Sequence, residues 1–169
     1  LSNCSNNFGP YHFPEKLIPL MIINALEGNP LPIYGEGKNV RDWLYVEDHA
    51  SALLLILEKG TLGLSYNICG ENECTNLELA HLVCKILDRL YPREKGSYSD
   101  LIIFTIDRPG HDERYSIDSS RLQNELGWKP SVLLQDGLEK TIKWYLNNED
   151  WWRPLLSRPG VGKRLGTKN

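Results

Sequence analysis

Strand-like and helix-like segments alternate along this 169-residue chain, and the alternation predicts an α/β fold. Three observations carry that expectation. A run with two-residue periodicity, Val40–Val46, is followed directly by a stretch with helical patterning. Turn residues and capping residues bracket most of the helical stretches. An apolar fraction of 41%, mixed with charges of both signs, is enough to build the core of one globular domain.

Taken in order, the opening stretch Asn3 to Asn7 is polar, and Gly9-Pro10 can continue neither a helix nor a central strand. It is expected as a loop. Leu17–Leu26 reads as a helix, with Pro19 in the first turn, where its missing N–H has no partner to lose, and Gly28 just past the end. Leu31–Tyr34 is a short strand that Pro32 keeps at an edge, and residues 35–39 form a turn. Val40–Val46 is a second strand with Trp43 and Tyr45 on one face and Leu44 and Val46 on the other. A helix from about Glu47 to Lys59 starts with acids and closes at Gly60.

Leu64–Cys69 is the next strand. Thr75-Asn76-Leu77-Glu78 is a capping box, followed by an apolar stripe of Leu77, Ala80, Val83, Cys84, Leu87 and Leu90. Leu101–Ile106 is a strand leading into Asp107-Arg108-Pro109-Gly110-His111. Asp118 can cap a short helix that Gly127 ends, and Leu134–Asn147 is expected as the last helix. Residues 1–150 are read as one unit. Residues 151–169 are read as a flexible C-terminal tail, although Trp151 and Trp152 are expected to pack against the body.

Composition excludes several function classes. The net charge of −3 does not suggest a nucleic-acid partner. No apolar run approaches the roughly 20 residues of a membrane span. Cys4, Cys69, Cys74 and Cys84 have no metal-ligand spacing, and in a well-cored chain they read as reduced thiols of a cytoplasmic protein. The chain begins at Leu1 and its single methionine is Met21, so it reads as a piece of something longer. There is no Gly-x-Gly-x-x-Gly fingerprint and no phosphate-binding Gly-Lys-Ser/Thr motif.

Three loops carry chemistry. The amides before the first helix, with Lys16, sit where free N–H groups and the helix dipole favour an anion. Arg41 follows a Gly-rich turn and can fork two N–H bonds onto a phosphate, although a plain Arg41–Asp42 surface pair is an equally simple reading. Arg108 and His111 leave the end of a strand, where open α/β sheets place ligands, although a turn with solvated charges would look the same. Together the loops suggest a site for a ligand with two linked phosphates.

Several long runs resemble one family. Ser5-Asn6-Asn7-Phe8-Gly9-Pro10-Tyr11, Phe13-Pro14-Glu15-Lys16-Leu17-Ile18-Pro19-Leu20, Arg41-Asp42-Trp43-Leu44-Tyr45-Val46-Glu47-Asp48 and Asp107-Arg108-Pro109-Gly110-His111-Asp112 resemble the dTDP-glucose 4,6-dehydratases, with Phe8 where relatives usually carry Tyr. These are extended short-chain dehydrogenase/reductases. The likeness covers roughly their C-terminal half. It implies the sugar-nucleotide-binding domain plus late elements of a Rossmann-type sheet. It also implies a homodimer and bound NAD, held mainly by an N-terminal half that carries the Gly-rich cofactor site, a Tyr-x-x-x-Lys pair and the acids of the elimination step. By that resemblance no catalytic residue lies in this chain. Asn7 would meet the cofactor, and Asn6 the substrate. Lys16, Leu17, Ile18, Pro19, Leu20 and Met21 would line the sugar-nucleotide pocket, with Pro32, Ile33 and Tyr34 near the base. Arg41 and Arg108 would hold the pyrophosphate, with Asn76, Asp107, Pro109, Gly110 and His111 nearby. Other sugar-nucleotide epimerases or decarboxylases of the superfamily, and a non-catalytic binding module, are the alternatives.

Overall fold

The computed structural model describes residues 1–158. In chain order the elements are β1 (Ser2–Cys4), β2 (Asn6–Phe8), α1 (Leu17–Leu26), β3 (Leu31–Tyr34), β4 (Val40–Tyr45), α2 (Val46–Lys59) and β5 (Tyr66–Ile68). They continue with β6 (Glu73–Thr75), α3 (Asn76–Leu90), β7 (Ile102–Thr105), β8 (Arg114–Tyr115), α4 (Ser120–Leu126), α5 (Leu134–Asn147) and α6 (Glu149–Leu156). The α/β class is as expected.

The strands form three short sheets. β1 pairs in parallel with β5, and β3 in parallel with β7. β4 is the hub of the third. Its C-terminal half pairs in parallel with β2 (Asn6↔Trp43, Phe8↔Tyr45), while its N-terminal half lies between antiparallel β6 and parallel β8. The two faces of β4 divide the core. Trp43 and Tyr45 enter the larger apolar cluster with α1, α3 and α5, and Leu44 enters a smaller one with Ala52, Tyr66, Ile68 and Leu122. The period-2 reading of this strand therefore holds, except that Val46 already belongs to α2.

Local signals place the helices well. The Thr75 capping box is complete, with the Thr75 side chain accepting from the Glu78 N–H and the Glu78 carboxylate accepting from the Thr75 N–H at 2.8 Å. Gly28 follows α1 with φ +71°, a conformation glycine adopts without strain.

Two expectations need correction. Asn3, Asn6 and Asn7 are not in a loop but on β1 and β2, because parallel partners distant in sequence supply the ladder that local propensity does not predict. Residues 151–156 are not tail. They belong to α6, where Trp152 is fully buried and its Nε1 donates to the Tyr145 carbonyl at 2.9 Å. The rest of the expected tail, from 159 on, lies outside the described residues. β6, β8 and the 3-10 turn Tyr98–Leu101 carry no sequence pattern strong enough to predict.

Candidate functional site

Strand β2, the C-terminal end of β3, strand β4 and the start of α1 converge on a cleft of about 390 Å³. Asn6 and Asn7 reach it from β2, Lys16, Leu17 and Leu20 from the start of α1, and Tyr34 from the end of β3. Arg41 and Trp43 come from β4, Asn76 from the start of α3, and Arg108 and His111 from the segment after β7. The three loops singled out by their chemistry thus share one concavity.

Arg41 and Arg108 set its electrostatics. Arg41 Nη1 donates to its neighbour Val40's carbonyl at 2.7 Å, and Nη2 to the Asp112 carbonyl at 2.9 Å. Among the described residues neither Arg41 nor Arg108 forms an ion pair with a carboxylate. Burial lowers the Arg41 pKa, the Asp112 charge pushes it back up, and the Arg108 charge lowers it again. Two cations that feel each other across a cleft, with no acid locked between them, make a site for an anion. The alternative reading, an Arg41–Asp42 surface pair, does not hold among the described residues. Asp42 points to the other face of β4, where its two oxygens accept from the Gly70 and Asn72 N–H groups, each at 2.7 Å.

The 107–113 segment is held in place from both sides. Asn39 Nδ2 donates to the Asp112 carbonyl at 3.1 Å, and the Val40 N–H to the Glu113 carbonyl at 2.8 Å. His111 Nδ1 meets Asp107 Oδ1 at 2.7 Å, and its ring packs edge-on against Tyr34 with centroids 5.8 Å apart. That hydrogen bond to His111 is the main reason the Asp107 carboxyl lies below its usual range.

Unsatisfied polar atoms concentrate here. Among the described residues, Asn7 Oδ1, His12 Nδ1, Trp43 Nε1 and Asn76 Oδ1 are buried without a partner, and all four residues line the cleft. Such atoms are rare in folded proteins and mark places where a partner is due. Burial, helped by the Lys16 charge, pushes the His12 pKa down to about 4, so its ring is neutral at pH 7.

Comparison with known proteins identifies the family. The family model described as GDP-mannose 4,6 dehydratase matches residues 1–141. The chain belongs to this family. A probable dTDP-glucose 4,6-dehydratase of Sinorhizobium fredii is 55% identical over 166 residues, 98% of this chain and 47% of that protein. The dTDP-glucose 4,6-dehydratase of Bacillus anthracis, solved in complex with NAD, superposes with a TM-score of 0.81 at 47% identity, covering 91% of this chain and 46% of that one. The enzyme of Streptomyces venezuelae, also solved with NAD, gives 0.81 at 44% identity, covering 91% and 45%. The chain spans about half the length of the relatives it matches and aligns with their C-terminal half. The fold expected from the resemblance, the C-terminal part of a Rossmann-type extended short-chain dehydrogenase/reductase, is the fold found.

Some of the residues expected to line this cleft point elsewhere. Ile18, Pro19, Met21 and Ile33 are buried away from it, Ile18, Met21 and Ile33 in the larger apolar cluster. A contiguous run cannot line one wall when it is a helix, because successive side chains turn by about 100°. Leu17 and Leu20, three residues apart, are the ones on the open face. Pro32 and Ile33 drop out because only Tyr34 ends the strand at the cleft. Asp107, Pro109 and Gly110 are exposed and off the wall, on a turn whose Gly110 has φ +68°. Asp107 contributes by holding His111.

His12, Glu15 and Trp43 line the cleft without having been singled out. Trp43 was within reach of sequence reasoning, since it lies two residues from Arg41 on the same face of a strand. His12 was not, because nothing local distinguishes it from a surface histidine.

Proposed function

We propose that this chain is the substrate-gripping half of a dTDP-glucose 4,6-dehydratase, a hydro-lyase converting dTDP-glucose to dTDP-4-keto-6-deoxy-glucose and water. The observation that carries the reading is the pair Arg41 and Arg108, unpaired with carboxylates and facing one cleft at the N-terminus of α1. In this reading the two guanidinium groups hold the pyrophosphate, where fixed N–H forks bind phosphate oxygens without reorganising. Lys16, Leu17, Leu20 and Tyr34 flank the nucleotide and sugar, Asn6 contacts the sugar, and Asn76 and His111 close the phosphate end.

Asn7 suits the nicotinamide side of an NAD held mainly by other parts of the enzyme. Its Nδ2 is engaged with the Ser5 carbonyl at 3.1 Å and Cys4 Sγ at 3.2 Å, which leaves Oδ1 free to accept from a carboxamide N–H. The NAD, when bound, supplies the redox chemistry that makes the sugar's C–H acidic enough for loss of water. This chain's residues bind and orient the sugar nucleotide so that the reacting carbons face that cofactor. The reading includes a homodimeric, cytoplasmic enzyme.

The test is to incubate the full-length protein with dTDP-glucose, UDP-glucose and GDP-mannose and follow loss of one water by mass spectrometry. Turnover of dTDP-glucose to the 4-keto-6-deoxy product is the expected result. An epimerised product of unchanged mass would assign the protein to the epimerases. A binding module would instead show tight dTDP binding by residues 1–158 alone, with no turnover in the full-length protein.

A further inference from the structure

Residues 9–16 carry His12, Glu15 and Lys16 to the cleft and yet have no regular secondary structure. A segment like this drifts unless something outside it holds it. Local turns restrain it in part, the His12 N–H donating to the Gly9 carbonyl at 3.3 Å and the Lys16 N–H to the Phe13 carbonyl at 3.0 Å, and further restraints come from the far end of the chain. Tyr11 adopts φ +61°, a conformation that residues other than glycine seldom take. Its ring packs against Trp144 of α5, with centroids 4.7 Å apart, and edge-on against Trp151 of α6 at 5.3 Å. One residue on, the buried Tyr145 hydroxyl donates to the His12 carbonyl. α5 and α6 are in turn locked together, with Trp144 and Trp151 in edge contact at 5.0 Å and Trp152 Nε1 bonded to the Tyr145 carbonyl.

We infer that Tyr145, together with the clamp that Trp144 and Trp151 close on Tyr11, positions the His12–Lys16 wall of the substrate cleft, although no residue of α5 or α6 lines that cleft. The α5–α6 pair is a brace. Tyr11 rests in a left-handed conformation because its ring is gripped, and that conformation directs the next residue's carbonyl to Tyr145 and its imidazole to the cleft. The inner side of the brace is close-packed. A Cβ on Gly137 of α5 would lie 2.8 Å from Phe8 Cζ and 3.0 Å from Tyr45 Cδ2, so the helix sits directly on β2 and β4, the strands that carry Asn6, Asn7 and Arg41. The same helix thereby spans both sides of the binding wall.

The inference rests on the dehydratase reading, and the experiment separates the two. The full-length wild type is assayed first with dTDP-glucose, and its failure to turn over would count against that reading alone. Tyr145→Phe, which removes only the hydroxyl, and Tyr11→Gly, which accepts φ +61° without strain but gives up the clamp, are then compared with Tyr11→Phe. The brace predicts KM for dTDP-glucose raised about fivefold to tenfold in the first two, with kcat changed less than about twofold, and near wild-type KM in Tyr11→Phe. The amides of His12, Phe13 and Glu15 to Leu17 should exchange with solvent faster in the same two variants. Unchanged KM in folded Tyr11→Gly, or an equal rise in Tyr11→Phe, overturns the inference. So does a loss of kcat without a rise in KM. Tyr11 is exposed, so the Tyr11 pair remains decisive even if Tyr145→Phe fails to fold.

Discussion

Two buried polar regions on either side of β4 and α2 behave in opposite ways. At the α2 end, Asp48 accepts from the Ser131 N–H at 3.0 Å, the Ser131 hydroxyl at 2.6 Å and the Val132 N–H at 2.9 Å. Asp42, on the back of β4, has each of its oxygens engaged by one backbone N–H group. On the front, Asn7, His12, Trp43 and Asn76 each hold back one buried atom. A buried carboxylate with both oxygens engaged by protein donors ties distant segments together. A buried amide or ring nitrogen with an idle atom contributes little to holding the fold and is ready for a partner. The partnered region is scaffold, and the region with idle atoms is the candidate site.

Substitutions can break that contrast. In the full-length enzyme, Arg41→Ala or Arg108→Ala should weaken dTDP binding by about 2–5 kcal/mol, well over tenfold, read by calorimetry. The midpoint of urea unfolding should move little. Unchanged affinity would remove the phosphate role. Asp48→Ala should do the reverse, costing about 3 kcal/mol of stability because it strands three donors, while dTDP affinity per folded molecule stays constant.

His12 sharpens the contrast through pH. Its folded-state pKa of about 4 lies below the ordinary 6.5, so between those values the unfolded chain binds more protons than the native one. Stability should therefore fall as pH drops from 6.5 to 4, by about 1–3 kcal/mol from this residue. Unfolding curves at pH 6.5 and pH 4.5 for wild type and His12→Gln would isolate that part as the difference in slope, and equal slopes would refute it. The smallest effect on stability should come from Asn76→Ala, within about 0.5 kcal/mol, because the amide oxygen has no partner to lose. Its dTDP affinity should nevertheless drop, and a large stability loss with unchanged affinity would place Asn76 with the scaffold instead.

Much of this was legible from local patterns. Helix α1 ends at its glycine stop, α3 at its capping box begins, and α5 spans the residues that its periodicity marks. Arg41 and Arg108 could be picked out as candidate anion ligands because Arg41 begins a strand after a Gly-rich turn and Arg108 leaves the end of one. What the family resemblance overstated was continuity, since it implied Lys16 to Met21 as one wall where the helical twist permits only every third or fourth side chain to face the cleft. Local reasoning assigned residues 151–169 to a flexible tail, while expecting Trp151 and Trp152 to pack against the body. α6 forms there because Trp152 buries its ring and bonds the Tyr145 carbonyl, a tertiary gain that outweighs the missing N–H of Pro154.

Helices, caps and the alternating faces of β4 are written in the order of residues, because their contacts reach only three or four positions along the chain, or follow the pleat of a single strand. The strands holding Asn6 and Asn7, the separation of Asp42 from Arg41, the idle atoms in the cleft and the hold of α5 and α6 on Tyr11 and His12 depend on partners dozens of residues away. Those partners meet only when the whole core closes, so the cleft as a binding site belongs to the tertiary structure.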